Sequence, residues 1–149
     1  MPTPDPSFDL EQAERLLPHL KPLLQDAIAE KKQMEAIGRQ MAGHIERIII
    51  MGGSRVNVSE FATIKKQKEI TVTRLRECLE QIENYGCVIK DLDMGLLDFP
   101  CRIGGQELYL CWKLGEPKIS YWHHTHEGFS CRKPIDKALI QDIERGPLQ

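Results

Sequence analysis

The sequence predicts an α+β protein: a long antiparallel helical hairpin with a short N-terminal helix, followed by a small three-stranded antiparallel β-meander. Two observations predict this fold. Apolar residues recur with helical spacing as far as Gly86, and beyond it short aromatic and aliphatic runs alternate with glycine-containing turns. The 149 residues suit a single domain, with a flexible tail at 1–8, the hairpin at 9–86, the meander at 87–135 and a C-terminal segment at 136–149.

The first helical region begins at a good capping residue. Asp9 precedes an apolar series with three-four spacing, and Glu11 lies near the positive end of the helix dipole. Pro18 and Pro22 each remove a backbone donor, so we expect a short helix at 10–17 and a long one at 19–51. The stripe, in which only Lys31 and Gly38 are not apolar, comprises Leu10, Ala13, Leu17, Leu20, Leu24, Ala27, Lys31, Met34, Gly38, Met41, Ile45 and Ile48.

A second helix returns along the first. Gly52 and Gly53 favour a break, and Asn57 with Glu60 resembles a capping box. Its stripe ends near Gly86 and comprises Val58, Phe61, Ala62, Val72, Leu75, Leu79 and Ile82. Helices roughly 40–50 Å long cannot cover both stripes within one chain, so we expect a homodimer with a four-helix arrangement.

Three strands follow, within the runs 95–101, 106–113 and 118–124, with turns centred on Gly104-Gly105 and Gly115-Glu116. This pairing places Asp98 opposite Cys111 and Cys111 opposite Ser120. His123 is then expected on the other face, with Leu108 and Leu110. A slip of one residue would exchange the faces.

Composition excludes several classes of protein. The 20 Lys and Arg balance 22 Asp and Glu, giving a net charge of −2, which does not favour nucleic acid. No signal peptide and no apolar run long enough to cross a membrane is present, which favours a cytoplasmic location. The five cysteines form no C-x-x-C pair, so we expect reduced and mostly buried thiols.

Polar residues of the meander are the candidates for a site. Asp98, Glu116, His123 and Arg132 provide groups for acid-base chemistry or for binding a metal or an anion. The alternative is structural, with Arg132 pairing with Asp98 or Glu116 to hold the C-terminal segment. No residue is assigned a catalytic role.

A divalent metal is a second hypothesis for the same region. His124 and His126 would share a strand face, and a third ligand would come from His123, Cys111 or a carboxylate such as Asp98. The alternative is a polar strand end whose histidines bond to neighbours. For Cys111, apolar neighbours favour a core role over a nucleophile.

Ordered motifs over nearly the whole chain carry a family resemblance. After the opening "FDLEQAERLLPHLKPLL" come "GCVIKDLDMGLLDFP", "YLCWKLGEP", "YWH" and "GFSCRKPI". This arrangement resembles the bacterial domain of unknown function 2203, whose pattern includes His123 but not His124 or His126. The resemblance implies no activity. The matching positions are Lys90, Asp91, Gly95, Asp98, Phe99, Pro100, Cys111, Trp112, Gly115, Glu116, Trp122, His123, Gly128, Phe129, Arg132 and Pro134.

Two functions follow as hypotheses. The first is a non-enzymatic cytoplasmic interaction module that dimerises through its helices and has a protein partner, since two apolar stripes need cover. The alternative is a small metal- or anion-binding site, or a catalytic one, on the meander.

Overall fold

The computed structural model describes residues 7–51, 58–103 and 105–139. Two helices are followed by an antiparallel sheet, which confirms the α+β class. The helices are α1 (Leu10–Ile50) and α2 (Val58–Asn84), and the strands are β1 (Val88–Asp91), β2 (Leu96–Ile103), β3 (Gln106–Lys113), β4 (Tyr121–His124) and β5 (Lys133–Pro134). The expected features at Gly52, Gly53, Asn57 and Gly104, the tail before residue 7 and the end of the C-terminal segment lie outside the described residues.

The helix α1 begins as predicted but is not interrupted. Asp9 Oδ1 accepts the Gln12 N–H at 2.7 Å and Gln12 Oε1 accepts the Asp9 N–H at 3.1 Å, a reciprocal cap. The expected separate helix at 10–17 is wrong, because α1 continues through Pro18 and Pro22. Each proline costs one backbone donor, and both prolines are exposed on the helix surface.

The sheet has five strands rather than the three predicted. Their spatial order is β1-β2-β3-β4-β5, so each strand pairs with its neighbour in sequence. The two additional strands are short: β1 has four residues and β5 has two. Gly95 leads into β2 with a φ of +68°, and a Cβ there would lie 2.7 Å from Leu114 Cβ, so this turn requires glycine.

Two compact units divide the chain, one of Met1–Leu24 with Leu79–Gln149 and one of Gln25–Cys78. In the first unit, one sheet face is an apolar core with Leu97, Phe99 and Leu110 fully buried. Phe8 packs edge-on against Phe99 with ring centroids 5.6 Å apart. Alternate residues of β2 therefore point Asp98 to the opposite face, which holds the polar residues.

In the second unit, parts of α1 and α2 run in opposite directions. Glu30, at the middle of α1, shares a groove with Arg74, in the second half of α2. Farther along α1, His44 Nε2 lies 3.4 Å from Oε1 of Glu60, which is in the first turn of α2. The buried side chains of this unit, among its described residues, are Ala27, Ile37, Ile64 and Thr71. No helix in the described parts of the chain is long and apolar enough to cross a membrane.

Candidate functional site

Three polar side chains meet on the sheet face opposite the apolar core. Asp98 on β2 pairs with Cys111 on β3, as predicted. Cys111 is opposite Tyr121, not Ser120, and Tyr109 is opposite His123. The predicted register between β3 and β4 is therefore wrong by one residue. Because this slip exchanges faces, His123 lies on the same face as Asp98 and Cys111 rather than with Leu108 and Leu110.

Asp98 and His123 form a fully buried pair. Their side chains are 0% and 1% exposed, and His123 Nε2 lies 3.0 Å from Asp98 Oδ1. The other ring nitrogen, Nδ1, lies 2.7 Å from the carbonyl oxygen of His124, which only accepts, so Nδ1 must carry a proton and donate. A second proton must therefore lie between Nε2 and Oδ1, on either the imidazole or the carboxyl group.

Cys111 completes a group of three potential metal ligands. Its Sγ, a carboxylate oxygen of Asp98 and a ring nitrogen of His123 all lie within 4.8 Å of one another. Burial, followed by the nearby Asp98 carboxylate, raises the pKa of the Cys111 thiol to about 12. The second carboxylate oxygen, Asp98 Oδ2, is buried without a hydrogen-bond partner. The thiol is thus protonated at neutral pH and beside an acceptor that no other group satisfies.

Glu116 and Arg132 form a separate ion pair. Arg132 Nη2 donates to Glu116 Oε1 at 2.6 Å and to Oε2 at 2.9 Å. The guanidinium carbon lies 4.1 Å from the ring centroid of Tyr121 and 4.9 Å from that of Phe129. Two aromatic faces and one carboxylate thus hold this arginine in place.

Residues 125–135, which we call the strap, bring Arg132 against the sheet. Its end forms β5, in which Lys133 pairs with Trp122 on β4. Glu127 Oε1 accepts from Lys133 Nζ at 2.9 Å and from the His124 N–H at 3.0 Å. Those bonds lower the pKa of Glu127 to about 2. The strap is therefore fixed by one internal ion pair and by a backbone hydrogen bond from the end of β4.

The four predicted site residues thus form two pairs that adjoin at Cys111. Arg132 Nη2 lies 3.4 Å from the Cys111 carbonyl oxygen, next to the thiol that faces Asp98. The structural alternative is right about Glu116 and Arg132. Asp98 instead takes His123 as its partner, which neither hypothesis contained.

His124 and His126 do not join the group of three ligands. Their rings stack on each other, 5.6 Å apart and inclined by 10°, and His124 also packs edge-on against Trp122. Among the described residues, the group of potential ligands contains neither of these two histidines. Of the five candidate ligands, the structure brings together Asp98, Cys111 and His123.

Most of the groups around Arg132 were not predicted from the sequence. The motifs predicted neither the two aromatic rings at Arg132, those of Tyr121 and Phe129, nor the pair of Glu127 with Lys133. One signal could have been used: Glu127 comes six residues before Lys133, with Gly128 between them. Their ion pair brings the two ends of the strap together.

This geometry limits the chemistry of the cluster. A thiol whose pKa is raised to about 12 is a poor nucleophile, and the buried side chains of Asp98, Cys111 and His123 offer no open surface to a large substrate. A thiol, an imidazole and a carboxylate together are instead good ligands for a transition-metal ion.

Residues 7–135 match the model of a family described as "Uncharacterized conserved protein (DUF2203)". The chain belongs to this family. The DUF2203 match contains both helices, all five strands and both polar pairs, which confirms the resemblance found in the motifs. Searches of the curated proteins and of the solved structures found no match to this chain.

Proposed function

We propose that this DUF2203 protein binds one divalent transition-metal ion, with zinc as the best fit, through Asp98, Cys111 and His123. The observation that carries the proposal is the convergence of three different ligand atoms within 4.8 Å in a buried site. Thiolate and imidazole ligands favour zinc over magnesium or calcium, which take oxygen ligands almost alone.

The spacing of the ligand atoms suits this ion with small adjustments. Zinc bonds of about 2.0–2.3 Å in a tetrahedral arrangement place the ligand atoms roughly 3.3–3.8 Å apart. The 3.0 Å between His123 Nε2 and Asp98 Oδ1 would widen slightly as an ion replaced the shared proton. Asp98 Oδ2, the buried oxygen without a partner, supplies a further lone pair in the same place.

The surroundings of His123 also support metal binding. Its Nδ1 donates to the His124 carbonyl, so Nε2 is the nitrogen left to face the cluster. Metal-binding histidines commonly donate their other N–H to a carbonyl or carboxylate, which fixes the tautomer and the orientation of the ring. The β4 backbone thus presents this imidazole as a ligand before any ion arrives.

Elemental analysis of natively purified protein without an affinity tag tests the proposal. We expect close to one zinc per chain, strongly reduced in Cys111→Ala. Cys101→Ala is the matched control, because Cys101 is equally buried on the neighbouring strand but points to the apolar face. Equal metal content in both variants, or no metal in the unaltered protein after incubation with zinc, would contradict the proposal.

If the protein binds no metal at this site, the contact between Asp98 and His123 is a structural hydrogen bond. In that case the two polar pairs would serve only to hold the sheet and the strap together. A Cys111→Ala variant that is less stable but loses no metal is the result expected from that role.

We also propose that the chain forms a homodimer through its second unit, Gln25–Cys78. This unit has few buried side chains and many exposed apolar ones, and a two-helix segment gains its core by pairing with another. The exposed apolar side chains, several of them more than half exposed, are Ile45, Ile49, Ile50, Met51, Val58 and Ile70. Five free cysteines are consistent with a cytoplasmic location, and a protein partner on the same surface is the alternative to a second copy.

Sedimentation at micromolar concentration tests the dimer. We expect a dimer for the unaltered chain and a monomer for the double variant Ile49→Lys with Val58→Lys, which puts charge on the exposed apolar surface. Lys21→Glu with Lys118→Glu, in the other unit, changes as many exposed side chains and should remain dimeric. A monomeric unaltered chain would exclude self-association as the role of this surface.

A further inference from the structure

A small cavity lies beside the three ligand residues on the same face of the sheet. It has a volume of about 220 Å³. The pairing explains its position: Val88 is opposite Asp98, Pro100 is two residues beyond Asp98, and Tyr109 is opposite His123. The lining consists of Gly86, Val88, Pro100, Glu107, Leu108, Tyr109 and Thr125.

Tyr109 lies beside this cavity and beside His123. Its ring lines the cavity and lies 5.5 Å, centroid to centroid, from the ring of His123. Tyr109 also precedes Cys111 by two residues on β3, so both side chains point to the same face. Tyr109, which is partly exposed, therefore adjoins both the cavity and the buried cluster.

Three protein ligands leave one position of a tetrahedral zinc ion without a protein atom. Zinc sites of this kind hold water or another small molecule in the fourth position, whereas purely structural sites close it with a fourth side chain. In the described parts of the chain, the group of potential ligands contains three residues and no fourth. The cavity beside Tyr109 is where a molecule bound in the fourth position would find space.

We infer that this cavity admits a small uncharged molecule with one nitrogen or oxygen donor atom to the fourth position of the metal, past the ring of Tyr109. This inference rests on the proposed metal site. The cavity fits an uncharged molecule because its lining mixes apolar and polar groups and its one carboxylate, Glu107, is paired with Arg102 Nη2 at 3.3 Å. A free anion gains no favourable charge there, because Arg102 already offsets the charge of Glu107 and the lining contains no lysine or arginine.

Cobalt-loaded protein gives a direct test, with imidazole as the probe at a pH where imidazole is uncharged. Cobalt bound to a thiolate has a charge-transfer band in the near ultraviolet, and the visible bands depend on the other ligands. Imidazole is expected to change the visible bands in a saturable way while the thiolate band persists. Azide, an anion of similar size, is expected to bind at least about tenfold more weakly.

Substitutions at the rim locate the path. Val88→Phe should fill the cavity and weaken the effect of imidazole about tenfold or more. Val58→Phe, the same change on an exposed position of α2, should leave it unaltered. Because Val88→Phe could disturb β1, Thr125→Phe repeats the test from the exposed turn on the opposite rim.

The outcomes separate this inference from the proposal beneath it. A thiolate-to-cobalt band with no response to imidazole would leave the metal site standing and overturn the cavity as its entrance. The same conclusion follows if imidazole binds to both rim variants as tightly as it binds to the unaltered protein. If no thiolate-to-cobalt band forms at all, the metal site and the inference fail together.

Discussion

At the level of single residues, the Asp98–His123 contact buries two polar side chains, each of which needs a hydrogen-bond partner. An imidazole whose Nδ1 already donates can still accept at Nε2 from an amide N–H, so Asp98→Asn preserves a hydrogen bond. Asp98→Ala removes the partner and opens a cavity. We expect the free energy of unfolding of metal-free protein to fall by about 1 kcal/mol for Asp98→Asn and about 3 kcal/mol for Asp98→Ala.

Denaturation with urea in the presence of a chelator measures both losses. Asp26→Asn on the exposed surface of α1 is the control and should change stability by less than about 0.5 kcal/mol. Equal losses for the two Asp98 variants would show that charge, rather than the hydrogen bond, stabilises His123.

The sequence identified Asp98 and His123 as candidate site residues but did not predict the hydrogen bond between them. The Asp98–Cys111 register followed from a two-residue turn, since Ile103 is opposite Gln106. Between β3 and β4 the chain uses residues 114–120 instead, and Gly115, with a φ of +104°, is only one part of that connection. Loop length sets the register, and an error of one residue moved His123 to the wrong face.

At the scale of elements, the strap depends on pH through Glu127. Its pKa is lowered from 4.5 to about 2 in the folded chain, chiefly by the hydrogen bond from Lys133. Its contribution to folding is therefore present above about pH 4.5 and is lost as pH falls toward 2. We expect amide exchange in residues 131–135 to accelerate over that range, relative to residues 108–112 of β3.

Glu127→Gln is the comparison for this prediction. The amide still accepts from the His124 N–H but carries no charge for Lys133, so the strap should exchange faster already at pH 6 and change little on acidification. Identical pH profiles for the two proteins would mean that the glutamate does not hold the strap.

Pro22 makes a prediction for α1. A helix-interior proline costs up to about 3 kcal/mol relative to alanine because it lacks the N–H and crowds the preceding turn. Pro22→Ala restores a donor for the carbonyl of Pro18, so the free energy of unfolding should rise by about 1–3 kcal/mol. Pro117→Ala, in the exposed loop after β3, should give no such gain. A lower free energy of unfolding in Pro22→Ala than in the unaltered chain would contradict this prediction and show that Pro22 stabilises α1.

The elements differ in how well the sequence reveals them. Apolar periodicity identified most of α1 and α2, and short aromatic and aliphatic runs between glycine-containing turns identified β2 and β3. The four-residue β1 and the two-residue β5 are too short to show a pattern in the sequence. Each forms by pairing with the edge of a longer strand, β1 with β2 and β5 with β4. The helix break predicted at Pro18 and Pro22 was wrong, because the packing of α1 outweighed the low helix propensity of proline.

At the scale of the whole molecule, an ion that binds the folded sheet must stabilise the chain. Free zinc at a hundred times its dissociation constant adds about 2.7 kcal/mol to the free energy of unfolding. The unaltered chain and Cys101→Ala should show this gain, and Cys111→Ala should not. A gain that persists in Cys111→Ala would place the ion elsewhere. From the apolar stripes we expected a homodimer, and this expectation stays a prediction, because the sequence of one chain does not identify the molecule that covers its helices.

Anomalous X-ray diffraction from zinc-soaked crystals would locate the ion itself. We expect one strong peak about 2.0–2.3 Å from a carboxylate oxygen of Asp98, from Cys111 Sγ and from His123 Nε2. A site without a peak, with His123 Nε2 and Asp98 Oδ1 still in hydrogen-bond contact, would contradict this expectation and leave the cluster as a structural pair.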